Sequence, residues 1–326
     1  MMLSIVIICW NDLKVIGECL RSIYATTQRT DFEVIVSDNG STDGSREFIQ
    51  REYPRVRLLE NNANLGFARG NNVGIRASRG EYVLILNPDT VIHAGALDRW
   101  MEFARKHPEA GAFGCRVENP DGSLQGSARP FPTIGRYWLA ALYLRKLAYL
   151  GDRWVSDTYT GWGGDTERAV DWQSGCCVLF RADVLKRLGG FDEQFFYHFE
   201  EVDLCQRVWQ AGYSILYTPA ACITHLGGQS VNRFPVRFEI EKYRNRYRYF
   251  YKYYGAAGAR RCRRVSLAWL RVRQLGYGVR SWVRSTPALR QRLEMYRVCI
   301  AWNRGLDPVR FVEQQEEPVV PLPLAA

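Results

Sequence analysis

Apolar and polar positions along the first third of this chain alternate between strand-like and helix-like periods. Residues 3–8 (LSIVII) form an unbroken apolar, β-branched run, the pattern of a strand buried on both faces. Leu13, Ile16, Leu20, Ile23 and Tyr24 then recur at helical spacing. Phe32–Ser37 (FEVIVS), Val56–Glu60 and Glu81–Leu86 (EYVLIL) predict three more strands, and the segment near Ala112–Val117 a fifth. Between them the spacing predicts helices carrying Phe48 and Ile49, running through Val73 to Ala77, and carrying Leu97, Trp100, Met101 and Ala104. Strands alternating with helices predict an α/β fold with a mostly parallel sheet covered on both faces. Sheets of this kind take ligands at the carboxyl ends of their strands.

From about Asn119 the rhythm changes. Asp121–Thr133 (DGSLQGSARPFPT) and Asp157–Glu167 read as loops on either side of a helix over Trp138–Tyr149. Trp172–Glu193 reads as strand, short helix and turn, and feeds the segment Phe195–Gly212 (FFYHFEEVDLCQRVWQAG). There Leu204, Val208 and Ala211 recur at i, i+4 and i+7, and Gly212 sits where a helix stops. His225 follows the strand-like SILYTP. Beyond Val236, Tyr243, Tyr247, Phe250, Tyr251 and Tyr254 mark a helix, and Trp269, Val272, Val279 and Trp282 mark a second stretch more loosely. The chain thus divides into a body over 1–235, a basic, aromatic-rich helical extension over 236–313 and a disordered Pro-rich tail over 314–326.

Charge sharpens that division. Val236–Arg304 holds 18 Lys/Arg against 3 acids, a surplus of 15 in a chain whose net charge is +10, so the remainder is slightly acidic. Such an arm suits an anionic membrane surface, and less well nucleic acid; the alternative is that Tyr243–Tyr254 packs on the body. The apolar fraction of 47% suffices for a sizeable core. The 9 cysteines are scattered without a CxxC, and MMLSIVIICW lacks the basic start of a signal peptide, which predicts reduced thiols in a cytoplasmic protein. No apolar run approaches the ~18 residues of a membrane span.

Three polar loops fall at predicted strand ends: DNGSTDGS from Asp38, NNANLGFARGNN around Asn64, and LNPDT with Asn87 and Asp89. One loop-tip Asp is an ordinary turn former, whereas three such loops on one rim point to a site. Glu200, Glu201 and Asp203 would occupy a first helical turn, where the dipole keeps carboxylates ionised. That suits a general base or an ion ligand, and equally simple capping.

In this order and spacing, SIVIICWND, VSDNGSTDGS, NLGFARGNN, LNPDT, DGSLQGSARPFPT, SGCCVLFR, GGFDEQFF, EEVDLCQR and His225 resemble the family 2 glycosyltransferases of the GT-A fold, most closely the rhamnosyltransferase-like branch. The resemblance covers about residues 3–254. It implies a nucleotide-sugar pocket from Asn11, Asp38, Asn39, Gly40, Asn64, Gly66, Arg69, Asn87 and Asp89, with Arg129 and Gly175 near sugar or acceptor. Asp89, with His225, would hold a divalent metal, Mg²⁺ or Mn²⁺, at a DxD-type motif here reduced to Asn87-Pro88-Asp89. Arg129 has the alternative of anchoring its own loop. Where the family usually has Glu-Asp, with the second acid as base, this chain has Glu200-Glu201, which makes Glu201 the candidate and leaves Asp203 a competitor.

The resemblance implies an inverting enzyme that moves a sugar, with deoxythymidine-diphospho-rhamnose the favoured donor and UDP- or GDP-sugars possible. The acceptor would be a lipid-linked or surface-polysaccharide glycan, and the protein would sit at the inner face of the cell membrane. The absence of a QxxRW motif points to transfer of one or a few sugars. Two rivals remain at this stage. A sugar nucleotidyltransferase would need a Gly-rich basic loop after the first strand, where CWNDLK has no glycine. The other is a non-catalytic docking protein with a decayed transferase body.

Overall fold

The computed structural model describes residues 2–142, 159, 161–227 and 235–315. The chain forms two compact units, one of Met1–Phe131, Gly161–Phe196 and Glu200–Gly227, the other of Pro132–Thr160, Tyr197–Phe199 and Gly228–Ala326.

The first unit opens with β1 (Met2–Cys9), α1 (Leu13–Thr26), β2 (Asp31–Asp38), α2 (Ser45–Glu52), β3 (Arg57–Glu60), α3 (Gly66–Ala77) and β4 (Tyr82–Leu86). Its remaining elements are β5 (Thr90–Ile92), α4 (Ala96–Lys106), β6 (Ala110–Glu118), β7 (Ala128–Arg129), β8 (Arg168–Ala169), β9 (Trp172–Gln173), β10 (Cys177–Arg181), α6 (Ala182–Arg187), α7 (Glu200–Gln210) and β11 (Ser214–His225). The second unit holds α5 (Ile134–Ala141), α8 (Pro235–Val283), α9 (Pro287–Gly305) and α10 (Pro308–Gln314).

The main sheet runs β3-β2-β1-β4-β10-β6-β11-β5, with β8 paired to β11. Strands β3, β2, β1 and β4 are mutually parallel, as expected of apolar runs joined by helices. Ile5, Val6 and Ile7 are fully buried because helices cover both faces of β1. The far half is mixed: β10 runs antiparallel to β4 and β6, and β11 runs parallel to β6 and antiparallel to β5.

This topology decides which loops meet. The carboxyl ends of β1, β2 and β4 lie on one rim, and antiparallel β10 starts there, with Cys177 opposite Leu86. The turn before β10 therefore joins the loops after β2 and β4. At the far end His225 closes β11 opposite Thr90, which brings it to the Asn87–Asp89 turn.

In the second unit the two predicted helical stretches belong to one 49-residue element, broken where Gly255 takes φ 64° and ψ −169°. Tyr243, Tyr247 and Phe250 are buried, so the first aromatic stretch is a packing face within its own unit. Tyr247 lies parallel to Trp302 and hydrogen-bonds Asn303. The helix predicted over Trp138–Tyr149 begins earlier, at Ile134, because Thr133 caps it by accepting from the Arg136 amide at 3.2 Å. Its continuation from residue 143 lies outside the described residues, as does the tail from 316, while Gln314 itself closes α10.

Candidate active site

Asp38 ends β2 fully buried, and its Oδ2 accepts the Gly40 and Ser41 amides, each at 3.0 Å. Its Oδ1 is also buried and meets no donor among the described residues. A buried carboxylate oxygen without a donor is costly, and an incoming ligand donor would relieve that cost. Asn11, at φ 58°, braces this loop: its amide donates to Ser41 Oγ at 2.9 Å and its Oδ1 accepts the Thr42 amide at 2.7 Å.

Asn39 ties this loop to the next. Its Nδ2 donates to Gly66 O at 3.1 Å, and its Oδ1 accepts from Asn61 Nδ2 at 2.9 Å. Asn64 Oδ1 accepts the Gly66 amide at 3.0 Å, and Gly66 turns the chain with φ 78°. Beyond the turn, the Phe67 amide donates to Phe196 O at 2.8 Å. Gly175 faces Phe67 and Glu201: a Cβ there would lie 3.3 Å from the ring and 3.5 Å from Glu201 Cβ. The next residue, Cys176, accepts the Asn87 amide at 2.9 Å. Burial pushes its thiol up to about 12, with Asp89 and Glu201 among the charges that raise it further. Both carboxylates therefore act on one thiol at the rim.

Asp89 is buried, with Oδ1 3.3 Å from His225 Nε2. Asn87 Nδ2 lies 3.4 Å from the same nitrogen. The imidazole is oriented from behind, where Nδ1 meets Gln125 Oε1 at 2.7 Å. Gln125 is itself fixed, because its Nε2 donates to Asn119 Oδ1 at 2.8 Å and His225 O at 3.3 Å. With Oε1 the acceptor, Nδ1 is the donor of that bond, which leaves Nε2 as the ring nitrogen facing Asp89. A carboxylate oxygen and an imidazole nitrogen converging in this way, with the far nitrogen held by an amide, are what a divalent cation uses.

Glu200 and Glu201 open α7, just after His198 and Phe199, which both hold positive φ, 69° and 73°. Two consecutive left-handed non-glycine residues are costly backbone, of the kind that collects at functional sites. Asp203 is fully buried, and its Oδ2 takes Arg207 Nε at 2.8 Å, while Arg207 also donates to Leu188 O and Gly190 O.

Two predicted ligand contacts are turned elsewhere. Arg69 is on the exposed side of α3 and pairs with Glu193 at 3.2 Å, because Asn72 and Arg76 draw Glu193 to that helix. Arg129 donates to Gly126 O at 2.8 Å and lies over the Trp172 ring, so it holds its own loop. The structure adds Asn61 and Gln125, which periodicity does not single out. Among the described residues, His93, Glu118 and Cys222 also bring ligand atoms within 4.8 Å of one another. Glu118 is committed to Arg116 at 2.7 Å, however, and that guanidinium opposes a cation.

Residues 4–189 match the family model described as glycosyl transferase family 2. An N-acetylglucosaminyl-diphospho-decaprenol L-rhamnosyltransferase of Mycobacterium tuberculosis is 34% identical over 250 residues, 72% of this chain and 78% of that protein. The rhamnosyltransferase WbbL of Escherichia coli K12 is 25% identical over 233 residues, 69% of this chain and 83% of that protein. Among solved structures, the mannosyltransferase PcManGT of Pyrobaculum calidifontis, in complex with GDP-Man and Mn²⁺, superposes with a TM-score of 0.55. That match has 17% identity and covers 96% of this chain and 88% of that one, which makes the fold GT-A.

Proposed function

The chain belongs to glycosyl transferase family 2 and is a glycosyltransferase, and from that premise we propose that it moves rhamnose to a lipid-linked glycan. The favoured donor is deoxythymidine-diphospho-rhamnose and the transfer inverts the anomeric centre. The donor and acceptor classes are supported by the mycobacterial relative, whose name carries both L-rhamnose and a diphospho-decaprenol. The observation that carries the chemistry is the convergence of Asp89 Oδ1 and His225 Nε2 at 3.3 Å, behind which Gln125 holds the ring.

In this reading Asp38 Oδ1 accepts a hydrogen bond from the base or ribose of the nucleotide, and Asn39 and Gly66 shape the pocket around it. Asp89 and His225 would hold a divalent cation, Mg²⁺ or Mn²⁺, which when bound neutralises charge on the departing diphosphate. Glu201 takes the proton of the acceptor hydroxyl, whose oxygen forms the new bond to the anomeric carbon as the carbon–diphosphate bond breaks. Asp203 stays with Arg207 and orients the helix. The catalytic body lies within residues 1–235, and 236–313 is an appended basic arm. No helix among the described residues is long and apolar enough to cross a membrane. In this reading the lipid-linked acceptor is met at the inner face of the cell membrane.

The experiment is transfer itself. The purified chain is given deoxythymidine-diphospho-rhamnose, UDP-sugars or GDP-sugars, a polyprenyl-diphospho-N-acetylglucosamine acceptor and Mg²⁺ or Mn²⁺, and products are weighed by mass spectrometry. Rhamnosylated lipid is expected. Transfer only from another donor removes the rhamnose assignment, and no transfer from any donor to this lipid removes the acceptor as well.

A further inference from the structure

The second half of α8 carries an apolar line that nothing among the described residues covers. Leu275, Val279 and Trp282 are 71%, 63% and 91% exposed. At about 100° per residue they fall within an arc of about 60° on one helix face. Exposed Arg264 and Arg271 continue the same line toward the helix start. The opposite side anchors the helix: Trp269 and Tyr277 pack on Tyr296 of α9, and Arg292 of α9 reaches the Tyr277 hydroxyl at 3.0 Å. The line is therefore presented outward by a helix that is fixed from behind.

Its surroundings carry charge of one sign. Between Ala256 and Leu293 the chain has ten arginines and no Asp or Glu. We propose that this face docks the protein on an anionic lipid bilayer. Leu275, Val279 and Trp282 enter the boundary between headgroups and acyl chains, and the arginines pair with lipid phosphates. Trp suits that depth, since its ring is apolar and its N–H can stay wet. Leu and Val offer no ring on which a nucleic-acid base could stack, so the aliphatic residues favour lipid over RNA. A second copy of the chain fits poorly too, because a two-fold contact would set this acid-free stretch against itself. The proposal gives a location to the lipid-linked acceptor reading and rests on it for its purpose, but vesicle binding is measured without donor or acceptor.

The test is sedimentation of the full chain with vesicles of equal phosphatidylglycerol and phosphatidylcholine, or of phosphatidylcholine alone. The parent is expected to bind the anionic vesicles and to release as salt rises. The triple variant Leu275→Ser, Val279→Ser and Trp282→Ser should partition at least ~10-fold less with an unchanged melting temperature, since these side chains face solvent. The pair Arg264→Gln and Arg271→Gln, on the line itself, should also lose ~10-fold. Equal binding to neutral and anionic vesicles, or a triple variant that binds like the parent, overturns the proposal. So does a parent dimer that the triple substitution splits, or an RNA that displaces the protein from vesicles while leaving the triple variant's RNA affinity low. Vesicle binding by a protein that transfers no sugar supports the docking face and counts against the catalytic reading alone.

Discussion

Asp203 and Arg207 form an i,i+4 ion pair on the helix that opens with Glu200 and Glu201, Arg207 Nε standing 2.8 Å from a fully buried Asp203 Oδ2. A carboxylate held by a guanidinium and shut away from water is out of reach of an acceptor hydroxyl and serves as a clamp. Removing it as Asp203→Ala should cost about 3–5 kcal/mol of stability, the range for breaking a buried pair from one side. Glu201→Gln should leave stability and donor binding near the parent's and slow transfer at least ~10²-fold. Rates are read per folded molecule, with melting temperatures alongside. Should Asp203→Asn be stable and inactive while Glu201→Gln keeps most of its rate, the base has been assigned two residues too early.

Asp89→Asn should abolish metal-dependent binding of the nucleotide-sugar without unfolding the chain. Asn keeps the size of the side chain, and the main-chain bond from the Leu226 amide to Asp89 O, 2.9 Å, does not involve it. What is lost is the negative charge facing His225. Calorimetry with and without chelator provides the check, and metal-dependent affinity equal to the parent's would sink the assignment.

Gly66→Ala should loosen the joint between the Asn64 loop and Phe196. The φ of 78° alone costs an alanine about 1–2 kcal/mol. A Cβ would also stand 2.6 Å from Phe196 O, a backbone atom that cannot simply rotate away. Lower stability and a raised donor KM should appear together. A variant as stable as the parent would mean that the joint gives way easily.

Most of the parallel half of the sheet is legible in the sequence, because strands covered on both faces must be continuous apolar runs such as LSIVII. Strands β5, β7, β8 and β9 have three residues or two, too few for any period to show. The Asp203–Arg207 pair is legible because helix geometry puts i and i+4 together. The Gln125–His225 contact is not: one hundred positions separate the two, and only the register of β11 beside β5 and β6 brings them close. In α8, helical spacing marks apolar positions in both halves, more loosely in the second. It cannot tell that Tyr247 is buried and Trp282 bare, since that depends on where α9 and α10 pack.

Acid should weaken the Asp38 loop through Asp43. Burial works against its charge, but hydrogen bonds from Ser45 and from the Leu13 and Ser45 amides hold its carboxyl below the usual carboxylate range. A group whose folded pKa is depressed contributes stability above its unfolded pKa and loses it as pH falls through the folded value. The contribution is therefore complete above about pH 4 and fades below it. Asp43→Ala should cost about 1–2 kcal/mol at neutral pH. The gap from the parent should narrow in acid; a gap that stays constant from pH 7 to pH 3 would show that the carboxylate's charge is not what holds the loop.

Gln125 should act on the metal through His225 without touching a metal itself. Its Oε1 accepts from Nδ1, and so fixes Nε2 as the ring nitrogen on the side of Asp89. Gln125→Met preserves length and removes that acceptor, leaving the ring free to rotate or to change tautomer. Loss of such a supporting partner commonly weakens metal affinity 10–100-fold. Mn²⁺ titration in the presence of deoxythymidine diphosphate should show a fall of that size, with nucleotide binding in chelator unchanged. Gln125→Glu separates positioning from packing: it keeps an acceptor for Nδ1 and gives up the donors to Asn119 Oδ1 and His225 O. Recovery of most of the Mn²⁺ affinity in Gln125→Glu is expected if orienting the imidazole is what matters. Equal loss in both variants would mean that Gln125 serves the loop and leaves the metal to Asp89 and His225 alone.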